Sequence, residues 1–283
     1  MRHFAYPACG ALPMTTPLFK DHLPEIWTLI HRLGEAFAAD KLTAQQFDQV
    51  VRAFFTPRRM QQTERVVPGW GQMASYGNGV TMVHVITVLT SLMLSPSYRA
   101  LSPHDRNLLL WIGIFHDIEK KVINREKDHT HGFRSAAVIG RQAPQLGFDL
   151  RRPRYLDAWA KITRTATTYD PIIDRPIQDN EKLPRIMAGI RDVFGTDTPA
   201  ALVTSAVLLH MSINVVHAWP QSAPLPDAEI PRYVDAALLP LLRTMMIADN
   251  DAWAFFDEGL KQSQRAETEA VFRRIERMIA KSP

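Results

Sequence analysis

Cysteine is nearly absent: Cys9 is the only one in 283 residues. A single thiol closes no internal disulfide and builds no thiolate cage for zinc. That lack fits a reducing compartment. Glycine is scarce too, at 13 residues, and none falls in a Gly-rich loop of the kind that cradles phosphate before a helix. The patterns G-x-S-x-G, H-E-x-x-H and C-x-x-C are missing, which removes the sequence signatures of α/β-hydrolases, zincin proteases and thioredoxin-like redox enzymes. No stretch approaches eighteen consecutive apolar residues, so no membrane-spanning helix is expected. The first twenty residues are apolar but broken by Pro7, Pro13 and Pro17, which leaves no apolar core of signal-peptide length. The YPAC stretch lacks the apolar region that precedes a lipoprotein signal. These absences give a cytoplasmic protein as the expectation.

Alternating strand patterns, repeats and low-complexity tracts are missing as well. What remains is an apolar content of 46% with 22% charged residues, the balance of a globular chain with a sizeable core. The net charge of +4 is modest, with a local focus at Arg151, Arg152 and Arg154. It suits an anionic substrate, but its plainer meaning is a solvated surface.

The periodicity is helical almost throughout. Residues 24–39 place Ile26, Ile30, Leu33 and Phe37 on one face. Thr43 and Gln46 form a capping-box pair for a helix ending near Phe55. The prolines and glycines of residues 57–78 predict a long irregular connection. Residues 81–94 predict a third helix. Ser102 followed by Pro103, with Asp105 at the third position, predicts a helix start and a run to about His116. Further helices are expected over 131–142, 153–167, from Thr198-Pro199 to about His217, over 231–256 with a kink at Pro240, and over 264–280. Residues 168–183 predict a loop. The fold class is all-α, a domain of about ten helices.

The most telling stretch is LLLWIGIFHDIEK, residues 108–120. A strongly apolar run leads straight into His116-Asp117. An ionised Asp desolvated there without a partner costs several kcal/mol. A shared metal ion is the commonest resolution. Comparable settings hold His84 (GVTMVHVITVLT), His131 (DHTHGFRSA), His210 (AVLLHMSI) and Asp249 (MMIADNDAW).

The order His84, His116-Asp117, His131, Asp249 resembles the HD superfamily of metal-dependent phosphohydrolases. The family reads "LLxAALLHDIGK" where this chain reads LLLWIGIFHDIEK. His131 is followed by Ser135 and Ala136, as the family's third His is followed by a small residue and Ala. The family's "ADxxDA" is close to Ala248-Asp249-Asn250-Asp251-Ala252. A bare His-Asp is weak by itself: His104-Asp105 sits at a helix start and reads as a cap. The resemblance spans about residues 78–257. It implies an HD-like helical domain over 78–257 with an insertion near 145–197, a helical extension over 1–77 packed on it, and a terminal helix over 258–283.

The resemblance also implies a site. His84, His116, Asp117 and Asp249 would hold one metal ion. Asp117 would bridge to a second, held by His131 and His210. His129 competes with His131, and His210 lies 79 positions beyond His131, farther than is usual in the family. Imidazole with carboxylate suits manganese, iron, nickel, cobalt, zinc or magnesium, as one ion or two. A hydroxide on the metals would be the nucleophile, with Asp117 and Lys120 as catalytic residues. Lys120 and Arg134 are the candidates for contacting a substrate phosphate. Glu119 stands where the family has Gly, so Lys120 either faces the phosphate or is displaced to solvent. For Arg134 the plainer alternative is a salt bridge. His3, His22 and His31 read as surface or structural, His217 as packing near a helix end, and Trp70, Trp111 and Trp219 as packing.

Three functions follow. The leading one is hydrolysis of a small phosphorylated substrate, nucleotide-like or otherwise, with neither nucleic acid nor membrane as the expected partner. The second is a mixed-valent di-iron oxygenase, which needs all six ligands. The third is an HD module that binds a ligand or regulates without catalysis.

Overall fold

The computed structural model describes residues 16–122, 127–213, 215 and 224–281. Among them are fourteen α-helices and one two-stranded hairpin, so the fold is all-α. The helices are α1 (Phe19–His22), α2 (Pro24–Ala38), α3 (Ala44–Phe54), α4 (Pro57–Val66), α5 (Trp70–Ser75), α6 (Val80–Leu94), α7 (Pro96–Ala100), α8 (Pro103–Phe115), α9 (His131–Leu146), α10 (Leu156–Arg164), α11 (Leu183–Val193), α12 (Pro199–Leu209), α13 (Leu238–Trp253) and α14 (Glu258–Ile279). Strands β1 (Thr167–Asp170) and β2 (Arg175–Gln178) pair antiparallel, with Thr167 opposite Gln178 and Asp170 opposite Arg175.

The helix starts follow from side chains that satisfy the free N–H groups of a first turn. Thr43 and Gln46 form the reciprocal capping box ahead of α3. Ser102 accepts from the Asp105 N–H ahead of α8, and Thr198 from the Ala201 N–H ahead of α12. Thr56 does the same for α4, so the stretch expected to be irregular over 57–78 contains α4 and α5. Two further expectations give way. Pro240 makes no kink, because it is the third residue of α13, where its missing N–H has no helical partner to lose. The loop expected over 168–183 contains the hairpin, whose turn holds Asp174 at a positive φ of 55°. Helix α14 also begins six residues earlier than expected, capped by Asp257. His217 and Trp219 lie outside the described residues.

Three helices are apolar nearly all round, and such helices belong in the interior. In α8, every residue from Leu108 to Phe115 is buried. Helix α6 packs on α8 and α13, and α12 packs on α8, α9 and α13. The amphipathic α2 and α3 lie over α6, α10 over α9, and α14 over α13. The N-terminal segment is anchored to the helix that leads into His116: the Pro17 carbonyl accepts from Trp111 Nε1 and Asn107 Nδ2, both at 2.9 Å, while Asn107 Oδ1 accepts from the Phe19 N–H at 2.9 Å. Ends of α6, α8, α9, α12 and α13 therefore converge in one bundle.

One helical stretch, Trp70–Leu94, is long and apolar enough to cross a membrane by length and composition, contrary to the expectation of none. Of its most apolar window 67% is buried inside the fold. It is also broken at Gly77, Asn78 and Gly79, all with positive φ, where the Asn78 carbonyl accepts from Arg52. A buried core helix accounts for it.

Trp159 shows how tightly α10 docks between α9 and α11. A Cβ on Gly140 would lie 2.4 Å from Trp159 Cζ3 and 3.2 Å from Phe194 Cζ, and one on Gly189 2.4 Å from Trp159 Cδ1. Trp159 is itself fixed by its Nε1 donating to the Ile186 carbonyl at 3.1 Å. Gly140→Ala gains about 1 kcal/mol of helix propensity, but the ring has nowhere to retreat, and overpacking costs about 1–3 kcal/mol. With the ring held in place the cost falls in the upper half of that range, about 2–3 kcal/mol, so the expected net result is a loss of about 1–2 kcal/mol in urea unfolding. An unchanged or raised midpoint would contradict this packing.

Candidate metal centre

The apolar helices α6, α8 and α12 each deliver one histidine near or just past an end. His84 sits in α6, His116 is the C-cap of α8 and His210 the C-cap of α12. His131 is the first residue of α9, and Asp249 lies in the last turns of α13. Asp117 follows His116. His84, His116, Asp117, His131 and His210 are buried, and Asp249 is partly exposed. All six expected ligands meet in one place, and these buried groups could hold a metal ion.

The two oxygens of Asp117 point to different partners. Oδ2 lies 3.7 Å from His84 Nε2 and 3.6 Å from His116 Nε2. Asp249 Oδ1 completes that half, 2.8 Å from His84 Nε2 and 3.7 Å from His116 Nε2. Oδ1 of Asp117 lies 2.9 Å from His131 Nε2 and 3.7 Å from His210 Nε2, and those two nitrogens are 3.2 Å apart. Ligands bonded at about 2.0–2.2 Å to one ion are about 2.8–3.6 Å from each other at octahedral or tetrahedral angles. The observed separations fall in or near that range in both halves.

Hydrogen bonding fixes the histidine tautomers. His116 Nδ1 donates to the Gly113 carbonyl at 2.8 Å, His131 Nδ1 to that of Asp128 at 2.8 Å and His210 Nδ1 to that of Val207 at 2.7 Å. Each partner is a carbonyl three residues back and can only accept. In its neutral form each imidazole therefore aims a bare Nε2 lone pair into the cluster, the arrangement of metal-binding histidines. His116 Nε2 is buried without a hydrogen-bond partner. Between His131 Nε2 and His210 Nε2 two lone pairs face each other, which is repulsive without a cation or a proton. The donor set fits a metal ion.

Charge points the same way. Burial alone would raise Asp117, but Lys120, His116 and His131 hold its carboxyl well below the usual range. Asp249 is likewise held well below, burial being outweighed by the neighbouring His116 and His84 rings, of which His84 Nε2 lies at hydrogen-bond distance, 2.8 Å away. Burial pushes His84 and His210 below the ordinary histidine value and favours their neutral, ligating form. His116 is raised, because Asp117 and Asp249 together outweigh its burial. The two carboxylates of Asp117 and Asp249 draw positive charge to this pocket: Lys120 pairs with Asp117, and Lys127 also feels both acids.

Lys120 is not displaced to solvent. Its Nζ lies 2.6 Å from Asp117 Oδ2, on the His84 side, with the side chain 15% exposed. Asp117 and Asp249 overcome the cost of burial and raise its pKa. Glu119 instead turns to Arg164 and Arg134 and is mostly buried. Arg134 is spent inside the protein: it donates to Asp128, to the Glu119 carbonyl and to Thr130. Its geometry is that of a salt-bridged clamp joining the segment after His116-Asp117 to the start of α9, the plainer of the two expectations for this residue. His129 does not enter the cluster; its carbonyl accepts from the Gln178 N–H. His104-Asp105 is a helix start, with Asp105 bonded to Ser102.

Two contributors escaped the sequence reading. Trp253 stacks on His84, with centroids 4.3 Å apart and planes at 25°, and Lys120 Nζ lies 5.2 Å from its ring centre. It follows Asp249 by four residues in α13, a spacing that puts both on one helix face. Asp128 orients His131 through its carbonyl and Arg134 through its carboxylate, a role that depends on chain geometry.

No family model, curated protein or solved structure matches the chain.

Asp117→Ala is expected to abolish metal content in both halves, because each loses its shared carboxylate; full retention in elemental analysis would contradict the site. His131→Ala should lower the count from two ions toward one, whereas His129→Ala should leave it unchanged. The reverse order would mean that the wrong histidine faces the cluster.

Proposed function

We propose that the chain is a metal-dependent phosphohydrolase of the HD type, acting on a small phosphorylated substrate. The observation that carries this reading is the buried carboxylate of Asp117, shared between two histidine-lined halves, with the Lys120 ammonium on one side of it. When bound there, divalent metal supplies Lewis acidity and lowers the pKa of water to the range needed at neutral pH.

The chain's own residues divide the remaining work. Asp117 is almost fully enclosed, so a substrate cannot reach it from the protein side. Asp249 is 26% exposed and Trp253 57% exposed, which opens the site along α13. A phosphate arriving there meets Lys120. Its raised pKa keeps it an ammonium, and it can pair with a phosphoryl oxygen at the expense of its bond to Asp117. Trp253 holds the His84 ring in place and forms an apolar wall beside the entrance. Lys120 and Trp253 thus orient the substrate, while the buried ring of histidines excludes bulk water from the far side.

The meeting of all six ligands also suits the second reading, a mixed-valent di-iron oxygenase, since that chemistry needs both halves filled. Protein purified without chelator should be analysed for metal, then offered a panel of phosphate esters and, separately, assayed for oxygen uptake with iron bound. Phosphate release supports the hydrolase. Oxygen uptake with no phosphate release across the panel would favour the oxygenase instead.

On the best ester, Lys120→Ala should lower kcat/KM by about 2–4 kcal/mol of transition-state stabilisation while metal content stays intact. A change below about threefold, the scale of a surface charge, would remove Lys120 from substrate binding.

A further inference from the structure

The hairpin contributes no ligand, yet its last residue reaches the metal centre. Gln178 ends β2 and is buried. Its backbone N–H donates to the His129 carbonyl at 3.2 Å. Its Oε1 accepts from the Phe133 N–H at 3.0 Å. That N–H lies in the first turn of α9 and has no helical partner of its own. Its Nε2 donates to Ser212 Oγ at 3.4 Å, and Ser212 Oγ donates to Asn180 Oδ1 at 3.3 Å. Ser212 is fully buried, two residues past His210, and its N–H donates to the Leu209 carbonyl at 2.8 Å.

Gln178 therefore holds the chain on both sides of His131, at 129 and 133, and also just beyond His210. A primary amide suits the position because it presents an acceptor and a donor at once. Gly132 lets the pieces close: a Cβ there would lie 2.4 Å from Gln178 Oε1 and 3.3 Å from the Leu208 carbonyl. The side chain touches no ligand atom in these contacts. It acts on the frame that carries His131 and His210.

We propose that Gln178 is a positioning residue for the half of the site formed by Asp117, His131 and His210. Its amide ties the start of α9 to the segment after α12 and so sets the 3.2 Å approach of the two Nε2 atoms. The proposal rests on the metal-binding reading of the cluster. It makes the second ion, and not the first, sensitive to the hairpin.

The test is titration of the metal-free full chain with Co²⁺, followed by calorimetry and by the visible absorption of the bound ion. The unsubstituted protein is expected to bind two ions in separable steps. Gln178→Ala should weaken one step by about 10–100-fold, the range seen when a group supporting a ligand is lost, and alter that step's visible spectrum. The other step should stay within about twofold. Ser212→Ala, which removes the acceptor of Nε2 together with the Ser212 donor to Asn180, should weaken the same step in the same direction, and it decides the matter if Gln178→Ala does not fold. Two unchanged steps in the variant that folds would overturn the proposal alone, as would equal weakening of both, since that marks general loosening. Fewer than two ions in the unsubstituted protein would overturn the two-ion reading, and this proposal with it.

Discussion

A carboxylate enclosed by protein is tolerated only where its charge is answered, and Asp117 sets that condition for the whole centre. It is almost completely buried behind the apolar run of α8. Around it stand four histidine nitrogens and one ammonium, all within 3.7 Å of one of its two oxygens. Leaving such a charge unpaired costs several kcal/mol. The apolar bundle makes that cost unavoidable, and the surrounding helix ends provide the groups that answer it.

The supporting geometry follows from elementary helix chemistry. His116 and His210 terminate α8 and α12, where each ring can turn back to a carbonyl of the last turn. His131 opens α9 and uses the Asp128 carbonyl in the same way. One device, an Nδ1–H donated to a carbonyl three residues back, fixes three rings with their Nε2 atoms inward. Arg134, Glu119, Asp128 and Arg164 form a second tier that joins the residues just after Asp117 to the start of α9. The catalytic reading needs both tiers, because the ligands are useful only if their rings cannot rotate away.

Much of this was legible in the sequence because the signals were local. An apolar run ending in His116-Asp117, and histidines or a carboxylate within other apolar runs, predicted the cluster residue by residue. Capping pairs such as Thr43 with Gln46 and Ser102 with Asp105 predicted helix starts. Helices α4 and α5 were hidden because their prolines and glycines read as breakers, although Thr56-Pro57 carried the same start signal as Ser102-Pro103. The hairpin was hidden for another reason: its first strand is almost wholly exposed and has no alternating pattern to read. Arg134 and Lys120 could not be assigned from sequence, since each choice depended on where Glu119 turned. Gln178 acts across 45 positions of chain on Phe133, beyond the reach of any spacing rule.

The most direct test of the account is anomalous diffraction from crystals grown with Mn²⁺. Two peaks are predicted, one on each side of Asp117: the first about 2.0–2.3 Å from His84, His116 and Asp249, the second at the same distance from His131 and His210. A protein that diffracts well and shows no peak at Asp117, with Lys120 still paired to its carboxylate, would contradict the account.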